Sequence, residues 1–445
     1  MSHPVPIIEL LLSVTVVIVA CRAGAVLMRL VGQPQVIGEI VTGVALGPTL
    51  LGRVWPAASD RLFPDSVVPT LDVLGQLGLL VFMLLLGIEL DLASVRGNGR
   101  TAAAVSQAGI VLPFALGAAL AYLVYDAQAP EGVSRAAFVL FFAVALSITA
   151  FPVLARILVE RQLFDTPLGA LAMTCAAVGD VVAWCMLTLV VALVGSGSPL
   201  EALTTGGWAV LLTVGMLVVV RPFLARLLRR GDGGKGGAEQ DGTVVIVLFS
   251  GMCLSALATE AIGVHLLFGA FLFGLAVPRH SVVVQRSAER LGGVAVALLL
   301  PLFFVSTGLR TDFGAYLSGP EQWLLALAVT VVAVVGKWGG VSFAARLCRH
   351  NWREALSLGA LMNCRGLTEL VALNIGLDLG VLSRETFSVL VLTALVTTVA
   401  TAPALSLLGH GGRRRTEPDG PPTVIGEDAL PSGTASVTGR REGAR

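Results

Sequence analysis

A succession of long apolar segments constrains the fold of this 445-residue chain more than any other feature. A helix needs about 20 mostly apolar residues to cross the roughly 30 Å of hydrocarbon in a bilayer. Hydropathy and helix-breaking residues delimit thirteen such segments, at residues 6–30, 35–52, 70–90, 101–125, 135–159, 167–194, 205–228, 243–258, 261–277, 290–309, 321–347, 354–377 and 385–408. The chain is therefore predicted to be an all-α polytopic membrane protein that lies in a lipid bilayer.

Composition excludes several other classes of protein. Charged residues make up 13% of the chain, whereas a soluble domain has about 25%, and the net charge of +1 gives no reason to expect nucleic acid as a partner. The six cysteines form no CxxC pair and are interpreted as small core residues. The HExxH and GxSxG motifs of membrane enzymes are absent, and no cofactor is expected.

The distribution of basic residues predicts the orientation. Thirteen crossings place the two termini on opposite sides of the membrane. Sixteen basic residues between Arg29 and Arg353 lie in the loops of one side, and five between Arg53 and Arg384 lie in those of the other. Because basic loops stay on the cytoplasmic side, the N-terminus is predicted outside and the C-terminus inside, with 410–445 as a disordered cytoplasmic tail. The high content of Arg, Ala and Gly is typical of a GC-rich bacterial genome, so the expected location is a bacterial plasma membrane.

Polar and glycine positions recur at an offset of seven segments. The matching positions are Gly38, Gly43 and Gly47 with Gly269, Gly274 and Pro278; Gly87 with Gly308; and Ser147 with Arg365, each twelve residues after an Arg that begins its segment. Since seven is odd, matched helices run in opposite directions. This pattern predicts inverted-topology repeats in which two broken helices cross near the bilayer midplane and form a binding site.

Asp180 lies in the middle of the apolar segment 167–194. A carboxylate at that depth costs on the order of 3 kcal/mol or more, so an intramembrane acid is a functional-site hypothesis. A carboxylate that binds either a proton or an alkali cation, but not both, couples the two by competition. With one such group, one proton is exchanged for each monovalent cation, which is electroneutral.

The two predicted breaks contain polar residues. In the first break, Pro152 frees backbone carbonyls about one turn upstream, and Ser147 and Thr149 add hydroxyl oxygens, which together are ligands for a dehydrated cation. The alternative is a structural proline kink. In the second break, Arg365 and Glu369 are spaced i, i+4 and are predicted to pair and to brace the break, with direct ion contact as the alternative.

Lys337 is one of only two lysines in a chain with 28 arginines, and it lies inside an apolar segment. Lys can lose its proton when desolvated, whereas Arg effectively cannot. A lysine that faces Asp180 would compensate its charge and release it when a cation or proton arrives. The alternative is that Lys337 reaches the cytoplasmic interface, about ten residues away along the helix.

Several segments resemble the second branch of the monovalent cation:proton antiporters, which includes bacterial sodium/proton antiporters, potassium efflux systems and plant cation/proton exchangers. The similarity extends over about residues 10–408, and its most specific segments are Gln33–Pro48, Ala145–Arg156, Ile262–Phe271, Pro301–Phe304 and Arg365–Leu377. It implies a fold in which a mobile core, at about 101–194 and 321–408, moves against dimerisation helices at about 6–90 and 243–309. Helix 205–228 would link the two parts, and the protein would be a homodimer.

The resemblance also implies that Asp180 is the ion-binding aspartate and Lys337 the midmembrane lysine. Members of the family usually carry Asp, Asn or Gln immediately before this aspartate, and Gly179 occupies that position here. This glycine disfavours an electrogenic antiporter, which would use two carboxylates. It leaves the selectivity between Na⁺ and K⁺ open. Two alternatives to an antiporter are a cation-coupled organic solute symporter on a related fold and a cation channel, which the broken inverted helices disfavour.

Overall fold

The computed structural model describes residues 7–89, 99–164, 166–195, 199–232, 238–279, 281–316 and 319–409. Within these ranges every regular element is a helix. The helices are α1 Ile7–Leu30, α2 Gln35–Leu46, α3 Leu51–Val54, α4 Pro56–Leu62, α5 Val68–Glu89, α6 Gly99–Gln128, α7 Arg135–Ser147, α8 Phe151–Glu160, α9 Pro167–Gly195, α10 Pro199–Gly215, α11 Arg221–Asp232, α12 Ala238–Ala261, α13 Leu266–Ala276, α14 Val282–Val294, α15 Leu300–Leu309, α16 Phe313–Tyr316, α17 Pro320–Val334, α18 Gly340–Leu347, α19 Trp352–Met362, α20 Leu367–Asp378 and α21 Arg384–Leu407. Short π-helical turns join α10 to α11, α14 to α15 and α17 to α18.

Ten helices in the described ranges are long and apolar enough to cross a membrane. This confirms the predicted all-α polytopic membrane architecture. The three other predicted segments are the pair α7 and α8, the short apolar helix α13, and the pair α19 and α20. Because these three are short or broken, the number of thirteen crossings stays a prediction.

Two predicted boundaries are wrong for identifiable reasons. The segment predicted to begin at residue 290 begins at Val282, because the polar face of α14 lowers its hydropathy without preventing a helix. The connection between the predicted segments 205–228 and 243–258 is shorter than expected, since α11 continues to Asp232 and α12 begins at Ala238. The predicted disordered tail at 410–445 lies outside the described residues.

The two predicted helix breaks are present. Helix α7 ends at Ser147, Ile148 and Ala150 are extended, and α8 begins with Pro152 in its first turn, where its missing N–H costs no hydrogen bond. The second break separates α19 from α20. The breaks cross in contact, because the N–H of Ala150 donates to the carbonyl of Cys364 at 3.2 Å.

The glycines that suggested the internal repeat lie at equivalent helix contacts. Helices α2 and α15 touch at Gly43 and Gly308, where a Cβ on Gly308 would lie 2.0 Å from the Gly43 carbonyl oxygen. Helices α5 and α13 touch at Gly87 and Gly274, where a Cβ on Gly274 would lie 2.9 Å from the Cα of Gly87. The repeat matches Gly43 with Gly274 and Gly308 with Gly87, so the two contacts are related as inverted repeats require.

Helices α1, α2, α5 and α12 to α15 pack mainly on one another, and helices α6 to α9 and α17 to α21 form a second group that does the same. The crossing breaks lie in the second group. This group therefore holds the polar residues of the predicted site.

Candidate functional site

The carboxylate of Asp180 is fully buried on α9. Neither of its oxygens has a hydrogen-bond partner among the described residues. The backbone N–H of Phe151, in the first turn of α8, faces the carboxylate but does not complete a hydrogen bond with it. Buried carboxylates in proteins are normally paired or hydrogen-bonded, so the oxygens of Asp180 are left for a ligand.

Lys337 lies in the π-helical turn Val335–Gly339 between α17 and α18. The turn is fixed from two sides. Gly336 packs against Pro113 of α6, with space for no Cβ, and the Nε1 of Trp338 donates to the Leu356 carbonyl at 3.0 Å. Single π-helical turns inside α-helices are frequent at functional sites, and this turn directs Lys337 into the protein rather than toward the cytoplasmic interface.

The Lys337 ammonium donates a hydrogen bond to the backbone carbonyl of Ser147, at the end of α7. Its side chain is fully buried. Asp180 and Lys337 interact electrostatically, but no hydrogen bond or ion pair joins them in the described residues. The lysine therefore lies beside the carboxylate and caps a helix end.

Arg365 caps the carbonyls that precede Ser147. Its guanidinium donates to the carbonyl of Leu146 at 2.6 Å, to that of Ala145 at 3.3 Å, and to Glu369 Oε1 at 2.7 Å. The predicted i, i+4 pair of Arg365 and Glu369 is present and fully buried. The expectation of free carbonyls at this break is wrong for the present conformation, because two cationic side chains satisfy the last carbonyls of α7.

The two hydroxyl groups of the first break have protein acceptors. The Ser147 hydroxyl donates to the Val144 carbonyl at 2.8 Å, and the Thr149 hydroxyl donates to the Met362 carbonyl at 3.3 Å across the crossing. A hydroxyl that donates one hydrogen bond still has lone pairs for a cation. Ser147 and Thr149 are thus placed in the crossing with oxygen atoms that can still act as ligands.

Four charged side chains are fully buried around the crossing. Two are acids, Asp180 and Glu369, and two are bases, Lys337 and Arg365. Their formal charges sum to zero when all are ionised. Binding of one proton or of one monovalent cation raises that sum by the same single charge.

Sequence reasoning missed Thr398 of α21. Its hydroxyl donates to the Arg365 carbonyl at 2.6 Å, and it accepts from the Arg365 N–H at 2.9 Å. This contact fixes the backbone of the second break. The recurrence of buried threonines along α21 was the available signal, and the members are Thr386, Thr393, Thr397, Thr398 and Thr401.

Asn363 lies at the end of α19, beside the second break. Its side-chain oxygen is buried and has no partner in the described part of the chain. No sequence pattern distinguishes such an amide from a satisfied one. Its position is known only from the structure.

The chain is similar to known proteins over most of its length. A family model described as "Sodium/hydrogen exchanger, transmembrane" matches residues 14–407. The chain is similar to Cation/H(+) antiporter 20 of Arabidopsis thaliana, with 42% identity over 89% of this chain and 48% of the relative. It is also similar to Na(+)/H(+) antiporter NhaS4 of Synechocystis, with 38% identity over 88% of this chain and 95% of the relative. The chain spans about half the length of the plant relatives it matches.

A more distant relative by sequence shares the fold. The structure of the sodium proton antiporter MjNhaP1 from Methanocaldococcus jannaschii superposes with a TM-score of 0.64. The match covers 90% of this chain and 98% of that one, at 13% sequence identity. The two proteins therefore share the overall fold.

Proposed function

Because this chain belongs to the sodium/hydrogen exchanger family, we propose that it is a secondary antiporter that exchanges Na⁺ or K⁺ for H⁺ across a membrane by alternating access. The observation that carries the proposal is the state of Asp180. Its carboxylate is fully buried, and both oxygens lack a protein partner. Such a group requires a bound proton or cation, because an isolated buried charge is too costly to persist.

Competition at Asp180 couples the two fluxes. A proton on the carboxylate removes the charge that attracts a cation, and a bound cation excludes the proton. Lys337 does not compete for the Asp180 carboxylate itself, since its ammonium is bound to the Ser147 carbonyl. With one exchangeable carboxylate, one proton leaves for each monovalent cation that enters, and the exchange is electroneutral.

The remaining cation ligands come from the first break. The hydroxyl oxygens of Ser147 and Thr149 retain lone pairs, and the Ser147 carbonyl becomes available when Lys337 withdraws. Oxygen atoms of this kind replace the hydration shell of an alkali cation. Lys337 thus acts as a tethered cation that occupies one ligand of the site while the site is empty.

The two packing groups suggest how the site moves. The group that holds the crossing, at about 101–194 and 321–408, serves as the mobile core, and residues 6–90 and 243–309 form the dimerisation part of a homodimer, linked by residues 205–228. Denser packing within each group than between the groups supports this division. The excess of basic residues on one side supports an outside N-terminus and a cytoplasmic C-terminus, in a bacterial plasma membrane.

Proton movement in proteoliposomes tests the proposal. The purified chain is reconstituted with a pH-sensitive dye, and Na⁺, K⁺ or Li⁺ is added in turn. We expect at least one cation to move protons with the wild type and none to do so with Asp180→Asn. Asp126→Asn is a matched control, because Asp126 lies on an exposed helix end and pairs with Arg135 at 2.8 Å. Solute-dependent flux without cation-dependent proton movement would instead support a symporter.

A further inference from the structure

A polar cleft lies between the two packing groups at the end of the molecule that the proposed orientation places outside. Helices α5 and α15 line one wall, and α20 of the core lines the other. The lining residues that carry charge are Asp72, Arg310 and Asp378, and the imidazole of His265 also faces the cleft. None of these residues belongs to the site at the helix crossing.

Arg310 bridges the walls of this cleft. It follows α15 and binds Asp378 of α20 at 2.5 Å, across the boundary between the groups. It also binds Asp72 of α5 at 3.4 Å, on its own side of the boundary. Asp72 in turn accepts a hydrogen bond from the Ser306 hydroxyl. The guanidinium is therefore anchored on the α5 and α15 side and reaches to the core.

A second contact reinforces the bridge one turn deeper. The side-chain amide of Asn374 on α20 donates to the Thr307 hydroxyl on α15 at 2.9 Å. Asn374 and Asp378 are four residues apart on α20, and Thr307 and Arg310 are three apart, so each pair lies on one helix face. Val371, one turn deeper again, lines the same cleft and is 1% exposed.

The neighbouring His265 does not take the place of Arg310 as the partner of Asp378. His265 caps α13, where its Nδ1 accepts from the Leu267 N–H at 3.4 Å. An Nδ1 that accepts a hydrogen bond carries no proton, so the His265 ring is neutral in this contact. Arg310 is therefore the cation that faces Asp378 from the opposite wall.

At the opposite end of the boundary, the cationic side chain comes from the other packing group. There the cation is on the core, because Arg156 of α8 donates to the side-chain oxygen of Gln35 on α2 at 2.5 Å. The buried carboxylate of Glu39, one turn further along α2, also interacts with Arg156. A charged side chain thus crosses the boundary at each end, and at this end Arg161 also reaches across it to the Gly32 carbonyl at 3.4 Å.

We propose that Arg310 and Asp378, with Thr307 and Asn374 beneath them, form an outer latch that keeps the outer mouth closed and must separate when the core exposes Asp180 to the outside. The inference rests on the proposed function, since a latch between packing groups has a role only if one group moves. The latch selects between conformations and binds no transported ion. Arg310 and Asp378 are positioning residues in the exchange.

Accessibility of a cysteine behind the latch tests this directly. Val371→Cys is treated from the outside with a membrane-impermeant methanethiosulfonate, and modification of that peptide is followed by mass spectrometry. Exposed ion pairs have modest strength, so Asp378→Asn is expected to raise the labelling rate roughly two- to fivefold. The control Asp126→Asn removes another outer ion pair that does not cross the boundary and should leave the rate unchanged.

Locking the latch gives a second test. Thr307→Cys combined with Asn374→Cys is bridged by a bifunctional thiol reagent, with each single variant as control. Bridged protein is expected to lose at least about tenfold in exchange rate, and cleavage of the reagent should restore it. Equal labelling of Val371→Cys in Asp378→Asn and Asp126→Asn, or full exchange by the bridged pair, would overturn the latch. Labelling requires no transport, so it reports on the latch even if the parent protein exchanges nothing.

Discussion

The ammonium of Lys337 binds the backbone carbonyl of Ser147 and leaves the carboxylate of Asp180 without a protein partner. In this conformation the lysine therefore stabilises the end of α7, and the aspartate remains free for a proton or a cation. The lysine caps the helix end and the aspartate stays available for the ion, whereas a direct lysine–aspartate pair would occupy both side chains. The contact also predicts how the site responds when the lysine is removed.

Replacing Lys337 with Met is expected to destabilise the empty protein. The substitution leaves the buried Ser147 carbonyl unpaired, which costs about 1–3 kcal/mol, and thermal unfolding in detergent should begin several degrees lower. Because the freed carbonyl becomes a cation ligand, the transported cation should restore more stability in the variant than in the wild type. An unchanged Tm without cation would show that the contact contributes nothing.

Replacing Arg365 with Leu is expected to cost about 3–5 kcal/mol of stability, because it leaves the Glu369 carboxylate buried and unpaired. The double variant Arg365→Leu/Glu369→Leu should be more stable than Arg365→Leu alone. The surface pair His350 and Glu354 has the same spacing, at 3.2 Å. Its variant Glu354→Gln should change stability by less than about 0.5 kcal/mol. If the stability changes of the two buried substitutions are additive in a double-mutant cycle, Arg365 and Glu369 are not coupled, which would contradict this prediction.

Replacing Gly43 with Ala tests the close contact between α2 and α15. The new Cβ would lie 2.4 Å from the Phe304 carbonyl oxygen, so we expect a loss of about 1–3 kcal/mol. Gly207 on α10 is the matched control, since no atom of the described residues outside its own helix backbone lies within 4 Å of a Cβ added there. Gly207→Ala should be neutral or stabilising by up to about 1 kcal/mol. Equal unfolding temperatures for the two variants would refute the packing argument.

Replacing Gly179 with Asp tests the electroneutral proposal. Outside the backbone of its own helix, the only atom of the described residues within 4 Å of an added Cβ is the Ser106 hydroxyl oxygen at 3.9 Å, so the backbone can accept a side chain there. A second carboxylate beside Asp180 should bind a second proton and make exchange respond to an imposed membrane voltage. Gly179→Ala adds the Cβ without the charge and should stay insensitive to voltage. The measurement is proton flux in proteoliposomes at two clamped potentials.

Much of this architecture is predictable from sequence, because it depends on the residue types and spacings within each segment. The apolar segments, the two helix breaks and the inverted relation between glycines all follow from residue types at fixed spacing. The pairing of Arg365 with Glu369 is also predictable from their i, i+4 spacing, although Arg365 lies in the break just before α20 and only Glu369 is on the helix. These features need no knowledge of which helices are neighbours.

Other features depend on which helices are neighbours, and sequence reasoning missed or misassigned them. The partner of Lys337 is a carbonyl on α7 because a π-helical turn, packed against Pro113, sets the direction of the side chain. The carbonyls expected to be free at Ser147 are capped by side chains that come from distant segments. The contact of Thr398 with Arg365 joins α21 to the second break, and no local pattern encodes their proximity.

The most direct test of the central claim is the number of protons released when a cation binds. The detergent-solubilised wild type is titrated with Na⁺ or K⁺ in weakly buffered solution, and calorimetry confirms binding independently. Competition at Asp180 predicts release of about one proton per chain at a pH where the carboxyl group is protonated, no release from Asp180→Asn, and wild-type release from Asp126→Asn. Cation binding by the wild type without proton release, or equal release from Asp180→Asn, would contradict the account.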